Sequence, residues 1–218
     1  MKKYFLAAFF VFIMYCGIFT KGYAMQDMIL PKPKVKGNVS IEEVISKRRS
    51  VRKYINKEIS VEDLSQILWA CQGITDDERG LRSAPSAGAL YPLEIYVVNK
   101  SGIFHYKPSE HKLLMTKSGD FRNDLKSASL GQSFINEVPV DIVICAVYQR
   151  VTKRYGDRGV RYTDIEVGHA AENVHLEAEA LGLSSVPVGA FNDAEVSKVL
   201  ELPADEKPLY IIPIGYAK

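Results

Sequence analysis

The strongest constraint on the fold is the run of apolar residues Val140–Tyr148, which is interrupted by a single charged side chain, Asp141. Both faces of such a strand gain free energy only when other parts of the protein cover them. We therefore predict a central β-strand here, with the rest of the chain supplying a layer on each side.

A second long pattern predicts the longest helix of the chain. Thr163 and Glu166 have the spacing of a capping box, and Gly182 ends the pattern. Apolar residues lie on more than one side of the helix between them, so we expect it to pack against more than one neighbour.

The remaining elements are shorter. Ser40 and Glu43 predict a first helix, Ser60 caps a second that Gly73 closes, and Asn192 with Glu195 caps the last. The other predicted elements are a helix at Phe121–Leu130 and strands at Glu94–Asn99, Ile103–Tyr106, Lys112–Met115 and Leu209–Tyr216. Helices and strands mixed without strict βαβ alternation favour an α+β sandwich, in which helices cover a central mixed β-sheet.

Two charged segments are expected to lie outside the regular elements. Asp76–Arg82 contains a glycine and reads as a mobile loop. Gln149–Tyr162 interleaves cations with tyrosines, and the sequence leaves open whether it is a solvated loop or a lid over a site.

Composition limits the function classes. A chain of 218 residues, 47% of them hydrophobic, can bury one substantial core, so we expect one folded domain. Its formal net charge of +2 does not favour a nucleic-acid partner. The 3 cysteines have no metal-ligand spacing, so we expect no metal site, and a disulfide between Cys71 and Cys145 stays open.

The amino-terminal region divides into two expected segments. Residues 1–24 combine Lys2 and Lys3, the apolar stretch Tyr4–Phe19 and small residues at Gly22 and Ala24, the pattern of a secretory signal peptide. An uncleaved membrane anchor at residues 4–19 is the alternative, and either predicts an exported protein, periplasmic or otherwise extracytoplasmic. Residues 25–39 then predict an extended linker, and residues 40–218 the folded domain.

Three short motifs suggest a binding site for a phosphorylated planar ring. The cluster of Arg48, Arg49, Ser50 and Arg52 offers guanidinium forks and a hydroxyl that suit a phosphate. Small residues in Pro85–Gly88 and in Val188–Ala190 allow the main chain to approach a ring closely. Taken one at a time, these motifs also fit a solvated basic patch, a turn and the start of a strand.

In their order along Ser40–Lys218, these motifs resemble the FMN-dependent nitroreductase family, and in particular its SagB/ThcOx-type dehydrogenase branch. The resemblance implies a domain-intertwined homodimer with FMN at the subunit interface. It assigns the phosphate and ribityl chain to Arg48, Arg49, Ser50 and Arg52. It assigns the ring contacts to two further segments: Pro85, Ser86, Ala87 and Gly88, and Val188, Gly189 and Ala190.

The sequence departs from the family pattern at three places. Ala89 stands where many members carry an asparagine that reaches the flavin, and Gly189 replaces an acidic residue beside the flavin N5 position. The sequence ends soon after Tyr216 without the usual C-terminal arm, which leaves Lys218 as the candidate basic ligand from that end.

The resemblance implies an FMN-dependent oxidoreductase that works by ping-pong hydride or electron transfer. Its partners would be a reduced nicotinamide or other electron donor and a small-molecule substrate of unknown identity. No catalytic residue is assigned, although Lys153 and Tyr155 are possible counterparts of residues near the flavin, and His169 and His175 are expected to be structural. The alternative is an exported flavin-binding accessory protein without turnover.

Overall fold

The computed structural model describes residues 27–218. The expected signal peptide or anchor at residues 1–24 lies outside the described residues, as do Met25 and Gln26. Nine strands are present in this part: β1 Met28–Ile29, β2 Ile74–Asp76, β3 Leu81–Arg82, β4 Leu93–Asn99, β5 Gly102–Lys107, β6 Lys112–Ser118, β7 Val140–Ala146, β8 Ser184–Ser185 and β9 Lys207–Gly215. Seven α-helices accompany them: α1 Ile41–Lys47, α2 Val61–Gln72, α3 Arg122–Ala128, α4 Phe134–Glu137, α5 Gln149–Tyr155, α6 Arg158–Ala180 and α7 Asp193–Leu200.

Seven strands form one sheet in the order β1-β6-β5-β4-β7-β9-β8. The predicted strand at Val140–Tyr148 is confirmed as β7, which lies between β4 and β9 with every residue buried. The expected α+β sandwich is confirmed, but the strand pairs of this sheet are antiparallel. The predicted mixed sheet therefore has one parallel pairing beside it, the isolated bridge between Ser50 and Ser185.

Alternate residues of the central strands feed two separate cores. Ile142 and Ile144 of β7 face the core that includes α2 and α6, while Val143 and Cys145 face the core that includes α3 and α7. Period-two alternation explains this division, because successive side chains of a strand point to opposite faces. Each face of β7 is therefore covered by helices.

Local capping signals were accurate at three helices. Ser40 accepts a hydrogen bond from the Glu43 amide at α1, Ser60 caps α2 in the same way, and Asn192 caps α7. These side chains satisfy backbone donors that the first turn of a helix leaves unpaired.

The predicted start of the long helix was wrong. Helix α6 begins at Arg158, and Thr163 lies inside it with its hydroxyl donating to the Gly159 carbonyl at 2.9 Å. A threonine within a helix can bond to the carbonyl four residues earlier, so the same residue type that caps helices is also accommodated inside one.

Two segments expected to be irregular are ordered. Gln149–Tyr162 is helical, forming α5 and the first turn of α6. Asp76–Arg82 lies in the short antiparallel pair β2–β3, where Asp76 bonds to the Arg79 backbone and side chain. Both segments were predicted to be irregular because they are rich in charged residues, but most of those side chains lie at exposed positions of regular elements and their turns.

The extended segment before α1 packs onto the domain. Strand β1 pairs with β6, and Leu30 is buried in the core. Beyond it, Lys34 and Gln66 exchange two hydrogen bonds of 2.8 and 3.0 Å. The segment is extended as expected, but from Met28 onward it is held by the sheet edge and by α2.

Cys71 and Cys145 are free thiols, each fully buried and belonging to opposite cores. Among residues 27–218, no helix is both long enough and apolar enough to cross a membrane.

Candidate functional site

The basic cluster Arg48–Arg52 lies where the chain leaves α1 and runs alongside β8. Ser50 forms a parallel bridge with Ser185, and the Val51 amide donates to the Ser185 carbonyl at 3.1 Å. The chain end lies on the other side, where the Lys218 amide donates to the Lys53 carbonyl at 3.0 Å. The backbone of Lys218 therefore lies next to the cluster, and its role as a phosphate ligand stays a prediction.

Arg48 is positioned by His175 of α6. Its Nη1 donates to His175 Nε2 at 2.9 Å, and the other ring nitrogen, Nδ1, lies 2.5 Å from Ser185 Oγ. Burial, with a smaller contribution from the positive charge of Arg48, lowers the pKa of His175 to about 4. The imidazole is therefore neutral at physiological pH, and its Nε2 accepts from the guanidinium without repelling it.

The other cations of the cluster face solvent. Arg49 donates from Nη1 to the carbonyls of Ser46 and Arg48. Within residues 27–218, Arg49 and Arg52 form no ion pair, and Arg48 lies 3.8 Å from one carboxylate oxygen, that of Glu172. Because little negative charge opposes it, the cluster suits a dianionic phosphate.

The segment Val188–Ala190 continues from the strand that holds the cluster. Val188 is buried and pairs with Ile211 of β9, whereas Gly189 and Ala190 are exposed. The Ala190 carbonyl accepts a hydrogen bond from Gln132 Nε2 at 2.9 Å. A Cβ atom at Gly189 would lie 3.4 Å from the Tyr210 ring.

Pro85–Gly88 forms a tight loop with unusual backbone angles. Gly88 has a φ of 62° and Ala89 a φ of 53°, and the Tyr91 amide closes the loop by donating to Ser86 Oγ. A Cβ atom at Gly88 would lie 2.8 Å from the Tyr155 hydroxyl. Glycine adopts this left-handed conformation without strain, and a side chain here would crowd the ends of Tyr155 and Arg154.

The two residues considered as catalytic counterparts lie differently. Tyr155 reaches the Pro85–Gly88 loop and packs edge-on against Tyr162, with ring centroids 5.3 Å apart. Lys153 is an exposed residue of α5. Tyr155 is thus the better placed of the two, although no contact in the structure assigns it a reaction step. Among residues 27–218, no group of three potential ligands is arranged to hold a metal ion.

Glu166 is a buried carboxyl group beneath the same loop. Its side chain is 2% exposed, and neither carboxyl oxygen has a hydrogen-bond partner in the described part of the chain. Burial raises the pKa of Glu166 to about 7, and the nearby Ser86 hydroxyl and Arg82 guanidinium oppose that shift. A carboxyl group poised near neutral pH next to a binding loop is a functional candidate.

The site residues of one chain form two groups along α6. The cluster Arg48–Arg52 contacts α6 at His175, and the loop containing Ser86 contacts it near Glu166. At 1.5 Å per residue these positions are roughly 13 Å apart along the helix axis. Segment Val188–Ala190 belongs to the first group through its continuity with Ser185.

Sequence reasoning missed the buried partners of the site. It treated His175 as structural without connecting it to Arg48, and it gave Glu166 the role of a capping residue. Contacts across more than a hundred residues, such as that between Arg48 and His175, leave no local pattern. Glu166 did carry a signal, because a charged residue between the apolar positions of a helix is rarely buried without a specific role.

Comparison with known proteins gives concordant results. The model of the nitroreductase family matches residues 45–216. A protein of Methanocaldococcus jannaschii named as a nitroreductase is 44% identical over 183 residues, which cover 81% of this chain and 91% of that protein. The FMN reductase [NAD(P)H] of Bacillus subtilis is 25% identical over 186 residues, covering 79% of this chain and 64% of the relative. A crystal structure from Ralstonia eutropha, also named as a nitroreductase, superposes with a TM-score of 0.82 at 27% identity, covering 90% of this chain and 92% of the other.

The ionisation of Glu166 predicts a pH-dependent stability. Its folded-state pKa of about 7 lies above the ordinary value of 4.5, so the unfolded state releases its proton first as pH rises. Stability from this group is complete below about pH 4.5 and is lost as pH rises to about 7, by roughly 3 kcal/mol. The neutral variant Glu166→Gln should lack this loss.

Urea unfolding of the wild type and of Glu166→Gln between pH 4.5 and 8 measures the difference. We expect the variant to be the more stable of the two at pH 8, with the advantage disappearing toward pH 4.5. The exposed Glu62→Gln serves as the matched control. A constant difference across this range would show that Glu166 does not titrate in the folded protein.

Proposed function

The chain belongs to the nitroreductase family, and from this premise we propose that it is an FMN-dependent oxidoreductase. The observation that carries the proposal is the cluster Arg48–Arg52, in which Arg48 is held against α6 and Ser50 pairs with β8. Within residues 27–218, one carboxylate oxygen, that of Glu172, lies as close as 3.8 Å to a guanidinium of the cluster. The Bacillus subtilis relative named as an FMN reductase supports flavin as the ligand class.

The phosphate of FMN would be held by Arg48, Arg49, Ser50 and Arg52, with Lys218 beside them. The exposed backbone at Gly189 and Ala190, and the loop at Pro85–Gly88, would line the ring. Bound flavin supplies hydride or electron transfer, so the residues of this chain bind, orient and exclude water. Arginine stays protonated at working pH and therefore holds the cofactor without exchanging protons with it.

We further propose a ping-pong cycle with a reduced nicotinamide or related electron donor and a small-molecule acceptor. Both exchange electrons with the same flavin, so one open site serves both in turn. The order of Arg48–Arg52, Pro85–Gly88 and Val188–Ala190 along the chain supports the SagB/ThcOx-type branch within the family.

Release of the cofactor tests the proposal directly. Purified protein spanning residues 25–218 should be yellow, and a chemical reductant should bleach the folded protein reversibly. Denaturation should then release FMN. Chromatography identifies the flavin. FAD or the absence of flavin would contradict the proposal, and bound flavin that no donor reduces would favour an accessory protein without turnover.

A homodimer would bring the two groups of site residues together across an interface. Exposed apolar side chains support it, since Ile165 on α6 is 50% exposed and Ile41 and Ile45 on the adjoining α1 are 55% and 58% exposed. Large apolar side chains that are exposed on one chain are candidates for burial in such an interface.

The change Ile165→Glu should therefore weaken the dimer, because it buries a charge in the interface. Sedimentation at micromolar concentration should show a dimer for the wild type and a larger monomer fraction for the variant. Ile29→Glu, at an 82% exposed position on the sheet edge, is the matched control. A wild-type monomer that retains flavin would rule out the interface.

Replacing Arg48 with alanine should weaken FMN binding by about ten- to a hundred-fold, because a charge-assisted hydrogen bond is worth ~1.5–3 kcal/mol. Activity should return at saturating FMN, since the ring and its backbone contacts are unchanged. A flavin titration by fluorescence quenching measures the affinity.

The exposed Arg79→Ala on the β2–β3 pair is the control and should bind FMN like the wild type. Unchanged affinity in Arg48→Ala would remove the phosphate role. Activity that stays low at full FMN occupancy would instead mean that Arg48 takes part in the chemistry.

A further inference from the structure

A polar cavity lies between the start of β4 and the end of β5. Its volume is about 280 Å³, and its charged lining consists of Arg82, Glu94, Lys107 and Arg150. We refer to it as the β4–β5 pocket. It is formed by different residues from the cluster Arg48–Arg52, which is held by His175 and Ser185.

The carboxylate of the lining, Glu94, already has a hydrogen-bond donor at each oxygen. Glu94 accepts hydrogen bonds from Arg150 and, at 2.6 Å, from His105. Burial disfavours its charged form, but the bonds from His105 and Arg150 outweigh that effect and lower the pKa of Glu94 to about 2. Glu94 is therefore ionised, and its charge is matched by Arg150.

Lys107, at the other end of the lining, contacts the His105 ring. The Lys107 ammonium can only donate, so its 3.0 Å contact makes His105 Nδ1 an acceptor, and Nε2 carries the proton that bonds to Glu94. Stacking on Tyr96, at a centroid distance of 4.6 Å, fixes the ring. The His105 ring thus orients Lys107.

Arg82 is the second cation of the lining. Its Nη1 donates to Gln72 Oε1 at 3.0 Å, its guanidinium lies over the Tyr91 ring, and its buried Nε has no acceptor within residues 27–218. Neither Arg82 nor Lys107 forms an ion pair in that part of the chain. A buried donor without a partner is costly, so its presence calls for a ligand or an ordered solvent atom.

We propose that the β4–β5 pocket binds the oxyanion group of a small molecule, either a carboxylate or a phosphate ester, through Arg82 and Lys107. Both cations line the same concave site, and their positions are fixed by Gln72, Tyr91 and His105. An arginine fork and a lysine ammonium offer both the planar and the point-charge donors that such groups accept.

The pocket is connected to the Pro85–Gly88 loop by two contacts to Tyr91. Arg150 Nη1 donates to the Tyr91 carbonyl at 3.1 Å, and the Arg82 amide donates to the Tyr91 hydroxyl at 3.0 Å. A molecule held by its anionic group in this pocket would therefore lie next to the loop. The binding itself does not require flavin, so the inference stands apart from the proposed redox function.

Calorimetric titration at low ionic strength tests the site, with inorganic phosphate in one arm and acetate in the other. The protein is first saturated with FMN, so that the cluster Arg48–Arg52 is occupied. We expect Lys107→Gln and Arg82→Gln each to weaken anion binding by about tenfold or more. Lys100→Gln, at an exposed lysine in the β4–β5 turn at the opposite end of this hairpin that pairs with Glu58, should bind like the wild type.

The two arms identify the ligand class. Binding of phosphate or of acetate that depends on Lys107 supports a phosphate-ester or a carboxylate site, respectively. The variant Lys107→Gln alters a surface-accessible ammonium and provides the result if Arg82→Gln fails to fold. Binding unaffected by Lys107→Gln, binding lost in Arg48→Ala instead, or no binding of either anion would overturn the proposal.

Discussion

Strand β7 imposes the requirement that the rest of the structure meets. All of its residues are buried, so it must lie between strands along both edges and between helices on both faces. Antiparallel partners β4 and β9 satisfy its backbone, and its alternating side chains divide the interior into two cores. One face of β7 is covered mainly by α2 and α6. Because the site residues contact α6, the packing of that helix on the sheet determines where they lie.

Helix α6 serves both packing and the site. Its small and branched residues, such as Ala170 and Val174, pack against the sheet and α2, while Asn173 donates to the Ala70 carbonyl of α2 at 3.0 Å. Turns of the same helix present His175 to Arg48 and Glu166 to the loop at Ser86. A helix fixed by the core thus fixes the spacing between the two groups of site residues.

Sequence reasoning succeeded where the signal was local. The caps at Ser40, Ser60 and Asn192 and the alternation along β7 depend on residues within a few positions of one another. It failed at Thr163, because an internal bond to Gly159 looks the same in sequence as a cap. It also gave no sign of the β4–β5 pocket, whose lining comes from segments that meet only when the sheet forms.

Two buried carboxyl groups near the loop show how partners decide ionisation. Burial opposes the charged form of both Glu94 and Glu166. At Glu94, hydrogen bonds from His105 and Arg150 outweigh burial and the group is ionised. The Glu166 oxygens have no hydrogen-bond partner within residues 27–218, and burial raises the pKa of Glu166 to about 7. Arg82 is close enough to lower the pKa of Glu166, but its hydrogen bond goes to the neutral amide of Gln72 and not to that carboxyl group. Within residues 27–218, Arg82 Nε and the Glu166 oxygens are buried without hydrogen-bond partners, which lowers the stability of the fold. Both groups lie next to the Pro85–Gly88 loop, where a bound ligand or a change in protonation would offset that loss.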